Sequence, residues 1–135
     1  MRKDGSYAKI IIFGSIFLML ALVIFFSKLG EKELRKNILK DSTIVVGKVL
    51  DYTPPRFEAS CVVTYSFMLG IHCHTEDESN GLYEPLHRYL VGKTFPIIVN
   101  ARNYKYNKIL IVPKDFEEFG IPFPDSLQWV KDILK

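Results

Sequence analysis

The chain has 135 residues, 48% of them hydrophobic and 24% charged, with a formal charge of +3. That length suits one small folded domain rather than two, and the apolar content excludes a disordered or low-complexity chain. Residues 1–9 carry three positive groups and one negative, residues 28–40 five and two, and residues 41–135 ten and twelve, so the basic excess flanks one apolar run and the remainder is slightly acidic, which argues against a nucleic-acid binder.

The apolar run is IIIFGSIFLMLALVIFF, residues 10–26, and Lys9 and Lys28 bracket an uncharged stretch over 10–27. As an α-helix that stretch spans about 27 Å, against a hydrocarbon core of about 30 Å. Tyr7 and the flanking lysines can lengthen it at the interface. A core helix apolar on every face needs a larger protein around it. A cleaved signal peptide needs small residues at its cleavage site, whereas this run ends Phe25-Phe26-Ser27-Lys28. The expectation is an uncleaved single-pass signal anchor over 10–27, in contact with the lipid bilayer and preceded by a basic tail over 1–9. Orientation rests on two opposed signals. The Lys/Arg count is higher after the run than before it, which favours a cytoplasmic C-terminal side. The short basic N-terminus reads like an unprocessed export signal, and on that ground the head is expected outside the cytoplasm.

Residues 28–40, KLGEKELRKNILK, predict a helical juxtamembrane stalk: Leu34 and Ile38 are four apart, and Glu31 and Arg35 form a favourable i,i+4 pair. Gly30 is a candidate kink, and Asp41-Ser42 stops the pattern. From Thr43 the texture is β. TIVVGKVLDYT (43–53) is rich in β-branched residues, with Gly47 a candidate bulge or bend, and Pro54-Pro55 ends it. CVVTYSFML (61–69) and IHCHTE (71–76) predict a hairpin turning at Leu69-Gly70. Leu82, Leu86 and Leu90 recur at helical spacing, with Pro85 in the first turn. KTFPIIVNA (93–101) and KILIV (108–112) are two further strands around a polar loop, RNYKYN (102–107). Lys114–Phe119 suits a short helix stopped by Gly120. A last helix follows Pro124-Asp125-Ser126, with Leu127, Val130 and Leu134 on one stripe widened by Trp129 and Ile133.

These elements predict an N-terminal single transmembrane helix plus a small, mainly-β (α+β) domain over 41–113, with the helical segment 114–135 packed on it. Strand–strand–strand–helix–strand–strand is the order of an OB-like barrel. A five-stranded antiparallel sheet curled over the C-terminal helix fits as well.

Within this frame TIVVGKV (43–49), VTYSFMLG (63–70), VGKTFPIIV (91–99) and the Asn103 loop before ILIV (109–112) resemble the small membrane-anchored bacterial proteins of unknown function termed DUF3592-like. The likeness covers roughly residues 43–112 plus the anchor. It implies an anchored β head in a bacterial inner (cytoplasmic) membrane, and neither an enzyme activity nor established site residues.

The residues yield few chemical candidates. Cys61 and Cys73 are poorly placed for a disulfide: with the turn at Leu69-Gly70, Ser66 faces Cys73, and Cys61 lies about 16 Å further along its strand, against Cα separations of about 4.4–6.8 Å in disulfides. His72 and His74 share one strand face with Glu76 beyond, and His87 is a further candidate for a metal or small-ligand sensor. The same pattern reads as an ordinary half-buried strand with Ile71, Cys73 and Thr75 inward and His72, His74 and Glu76 outward, and no metal or other cofactor is assigned. No G-x-S-x-G, P-loop, H-E-x-x-H or C-x-x-C motif is present, so no catalytic residue and no enzyme is expected. Arg102, Tyr104, Lys105 and Tyr106 in the strand 4–5 loop, with Trp129, are the candidates for contact with a protein partner. The functional expectation is a membrane-anchored, non-catalytic interaction module.

The anchor is tested directly. Carbonate or high-salt washing is expected to leave the full-length protein in the membrane pellet, and deletion of residues 1–27 to release it; extraction of the intact chain by carbonate refutes the anchor.

Overall fold

A computed structural model of the protein describes residues 4–57 and 60–135, apart from the side chains of residues 4–8 and of Leu82. The expected roles of Arg2, Lys3, Tyr7 and Leu82 therefore lie outside the described residues. Helix α1 (Asp4–Leu39) is one uninterrupted helix. The helical assignment continues through Gly30, and nothing lies within 4 Å of the position its Cβ would take. Within α1, Lys9–Leu39 is long and apolar enough to cross a membrane, and none of its most apolar window is buried in the protein.

The chain divides into two compact units, Met1–Lys36 and Asn37–Lys135. The second begins a few residues before position 41, because Ile38 is fully buried in the core and the backbone carbonyl of Asn37 accepts a 2.7 Å hydrogen bond from Asn100 Nδ2.

This second unit holds β1 (Ser42–Thr53), β2 (Val62–Leu69), β3 (His72–Ser79), a 3-10 turn over Gly81–Leu86 leading into α2 (His87–Leu90), β4 (Thr94–Asn100), β5 (Asn103–Ile109), α3 (Pro113–Glu118) and, after a 3-10 turn, α4 (Gln128–Leu134). The strand order is β3-β2-β1-β4-β5, with every neighbouring pair antiparallel. The end strands β3 and β5 therefore run parallel to one another, and the sheet curls until they touch. With a helix between β3 and β4, this is the expected OB-like, partly open barrel.

Strand β1 makes the curl possible. Its inward positions run Thr43, Val45, Gly47, Val49, and then a bulge between Val49 and Asp51 shifts the phase so that Tyr52 takes the next one, opposite buried Val63. The bulge thus falls at Leu50, not at Gly47. Gly47 serves close approach instead: a Cβ there would collide with the Ile97 side chain and lie 2.9 Å from the Ser66 carbonyl oxygen.

Two local readings are corrected. The β2–β3 turn sits at Gly70-Ile71, with Leu69 opposite His72, Met68 opposite Cys73 and Phe67 opposite His74. Gly70 adopts φ +64, a region that favours glycine. This register inverts the face of β3. His74, Glu76 and Glu78 are half-buried opposite buried Phe67, Tyr65 and Val63, whereas Cys73, Thr75 and Asp77 are exposed. The second correction concerns 102–107, of which all but Arg102 is strand rather than loop. Asn100 Oδ1 accepts from the backbone N–H of Arg102 (2.8 Å) and Asn103 (3.1 Å), closing the turn in two residues so that β5 starts at Asn103. Strand β5 ends at Ile109, and Leu110, Ile111 and Val112 continue as buried irregular chain.

The core is built on Tyr65, Tyr83, Phe95, Phe116, Ile38 and Leu86. Helix α4 joins it through Val130 and the 3-10 turn before it through Leu127, and half-buried Trp129 meets Phe95 at 6.2 Å and Tyr89 at 6.4 Å. Leu134, expected on the same buried stripe, is exposed and borders an open groove of about 500 Å³ with Val112, Pro113, Lys114 and Glu117.

Gly47→Ala is expected to cost about 1–3 kcal/mol in urea unfolding followed by Trp129 fluorescence. Gly81→Ala, with open space around its Cβ position, is the matched control and is expected to leave the midpoint unchanged.

Candidate partner-binding rim and the seam behind it

One end of the barrel gathers the β2–β3 turn, the β4–β5 turn and the residues that lead into β1. Ile71 projects from the first turn, 87% exposed. Arg102 extends from the second and pairs with Asp41 at 2.8 Å, while Ala101 N–H donates to the Asp41 carbonyl at 2.7 Å. A nearly parallel ring stack joins β3 to β5: His74 and Tyr104 have centroids 3.9 Å apart at 15°. Phe67 also meets the His74 ring, at 5.6 Å and tilted, and His72 lies 6.4 Å from it. Tyr104 and Lys105 are exposed, and Tyr106 is half-buried against the core.

Arg102, Tyr104 and Lys105 therefore share this rim, joined by Ile71, His72 and His74. Trp129 does not belong to it, since its ring is engaged with Phe95 and Tyr89. Nor does His87, which lies 5.7 Å from the Tyr52 ring, its Nδ1 3.0 Å from the Glu84 carbonyl oxygen. Among the described residues no three His, Cys, Asp or Glu side chains come together as a metal site. Cys61 is buried, its thiol donating to the Asn80 carbonyl at 2.8 Å, and Cys73 is exposed; both are free. With Met68 opposite Cys73, Cys61 lies about 23 Å further along β2, beyond any disulfide span.

Further along the same β3–β5 seam lies a polar cluster. Lys108 Nζ is 2.8 Å from Glu78 Oε1 and 3.9 Å from Asp115 Oδ1, with side chains only 15%, 16% and 4% exposed. Asp115 Oδ2 accepts from Ile111 N–H and Val112 N–H, each at 3.0 Å, and from Tyr83 Oη at 3.1 Å. Tyr65 Oη donates to Asn107 Oδ1 at 2.5 Å, and Asn107 Nδ2 donates to the Tyr104 carbonyl at 2.7 Å.

One cation here faces two carboxylates in a nearly dry site, and the proton affinities follow. Burial raises the pKa of Glu78, and Asp115 and Glu118 add to it, against the opposing pull of Lys108. Burial disfavours the Lys108 ammonium, but Glu78 first, then Asp115 and Glu118, outweigh burial and hold its pKa above the ordinary value. An exposed pair would move the acid down and the base up; here burial, with a smaller push from the other carboxylates, moves the acid up as well. Burial is also the main cause that pushes up Tyr83 and Tyr65, followed by Asp115 and Glu78 for the first and by Glu78, Glu76 and Asp77 for the second.

None of this cluster stood out in the sequence. Asp115 carried a local signal, because an acidic residue two positions after Pro113 at a helix start suits the free N–H groups there. Glu78 and Lys108 are 30 positions apart, with no local pattern to join them.

Comparison with protein-family models, curated proteins and solved structures found no match to this chain.

Lys108, Tyr65 and Tyr83 hold protons more tightly in the folded than in the unfolded chain, so their stabilisation is complete below about pH 10 and is lost as the pH rises through their raised values. The urea midpoint is expected to fall above about pH 10. Tyr83→Phe is expected to cost about 1.5–3 kcal/mol at neutral pH and to make the alkaline fall shallower.

Proposed function

We propose that this protein is a membrane-anchored, non-catalytic interaction module that binds a protein partner through the rim of its β head. In this reading α1 is a signal anchor in a bacterial inner membrane, the head lies outside the cytoplasm, and the chain is a relative of the DUF3592-like proteins it resembles.

The observation that carries the reading is the composition of the rim. Ile71 is almost wholly exposed at a tight turn, beside a held aromatic pair, His74–Tyr104, and the cationic side chains Arg102 and Lys105. Aromatic residues and arginine are enriched where proteins bind proteins, and a stacked ring loses little conformational freedom on binding. Support for a metal or small-ligand sensor on His72 and His74 is weaker, because among the described residues no further His, Cys, Asp or Glu side chain joins them as a third ligand.

The test is affinity capture of the intact anchored protein in mild detergent, with the partner identified and its affinity measured. Tyr104→Ala and Ile71→Ser are each expected to weaken binding at least about tenfold while Trp129 fluorescence stays native. A partner bound equally well by both folded variants refutes the rim as the site.

A further inference from the structure

Two features at the end of the barrel away from the rim are not used by the packing of the head. The first is Phe57, in the chain that leads from β1 toward β2. Its side chain is 107% exposed, so it packs on nothing in its own head. It is also the one non-glycine among the described residues with a positive φ, +56, a conformation that is strained for a bulky residue and concentrates at functional sites. Pro54 and Pro55 restrict the chain just before it, so the ring is held out with little freedom left to lose on binding. The second feature is the open groove of about 500 Å³ beside α3, lined by Val112, Pro113 and Leu134 with Lys114 and Glu117. We propose that these are the two halves of one contact between copies of this chain, in which Phe57 of one copy enters the groove of the next and Arg56 pairs there with Glu117.

Chemistry and position both fit. Setting an aromatic ring against Val112, Pro113 and Leu134 removes apolar surface from water on both sides of the contact. Arg56 and Glu117 are exposed, and neither is ion-paired to another described side chain. Lys114, one helical turn before Glu117, repels Arg56, so charge fixes the direction in which the Phe57 chain lies across the groove. The two surfaces differ, which makes the contact heterologous: each copy gives its phenyl ring to one neighbour and its groove to another. Placement suits copies held in one bilayer, a step that rests on the anchor proposed above. Such copies are related by rotation about the membrane normal, so phenyl ring and groove must lie at one level. Strand β1 runs from Ser42 at the rim to Thr53, shortly before Phe57, and β5 runs from Asn103 at the rim to Ile109, shortly before Val112. Both halves of the contact therefore leave the barrel at the same end. A shared bilayer also raises the effective concentration of each head for the next.

The test uses the full-length protein, labelled at exposed Cys73 and reconstituted sparsely in lipid vesicles. Energy transfer between donor-labelled and acceptor-labelled copies is expected to exceed that of randomly dispersed labels. Phe57→Ala and Glu117→Arg are each expected to weaken association at least about tenfold while Trp129 fluorescence stays native. Donor-labelled Phe57→Ala mixed with acceptor-labelled Glu117→Arg is expected to recover transfer, because the first keeps its groove and the second its phenyl ring. Adding Arg56→Glu to the Glu117→Arg chain is expected to restore association within one chain type. Transfer at the random level in the wild type, transfer unchanged by Phe57→Ala, or no recovery in the mixture overturns the contact; the last is the result if Phe57 docks in its own groove or against Phe57 of another copy. Flotation with the vesicles reports the anchor separately. A chain that does not float refutes the anchor, and the same variants and mixture are then compared by sedimentation in solution, where the same outcomes decide the contact.

Discussion

Lys108 holds the position on which the barrel depends. A five-stranded sheet has two end strands, and their unpaired edges are a liability unless they are covered or brought together. Here the order β3-β2-β1-β4-β5 brings them together, and one ammonium reaches from β5 to Glu78 on β3 and toward Asp115 on α3. The remaining parts serve that contact. The β1 bulge and Gly47 let the sheet curl, Tyr83 and two backbone N–H groups hold Asp115 in place, and the His74–Tyr104 stack closes the rim end of the seam. Breaking a buried pair by removing one partner leaves an uncompensated charge, so neither Lys108 nor Glu78 is lost alone without cost.

The overall architecture was legible because it is written in local patterns. The uncharged run over 10–27, the β-branched stretch over 43–53, the paired strands around Gly70 and the Leu127–Val130 stripe each announce an element by spacing or composition. Where reading failed, a single residue of phase or a long-range partner decided the outcome. With the turn placed at Leu69-Gly70 instead of Gly70-Ile71, His74 and Glu76 were assigned to the wrong face, because strand side chains alternate with period two. Apolar content suggested Ile71 and Cys73 as the inward set. The register instead exposes Ile71 at the turn and sets the polar side chains of β3 opposite buried Phe67, Tyr65 and Val63.

The strand β5 was obscured for a related reason. RNYKYN has the polarity of a loop, yet it pairs because Asn100 supplies the turn chemistry one position earlier and because Tyr104 and Lys108 find partners across the seam on β3 and Asn107 finds one on β2. The rim was therefore half visible: Arg102, Tyr104 and Lys105 could be singled out as aromatic and cationic residues together, but the ring that holds Tyr104 comes from a strand 30 residues earlier, at His74.

The burial of Ile38, with the hydrogen bond from Asn100 to the Asn37 carbonyl, sets a rule for domain grafting. The last turn of α1 is part of the β domain, so a chimera that moves this domain onto a different N-terminal helix must carry residues 37–40 with it. A junction placed at Asp41 would leave a hole where Ile38 packs and a donor on Asn100 without its carbonyl. The same boundary tells a protease where it can act harmlessly: a cut before Asn37 frees a head with its core intact, and a cut after it removes a structural component.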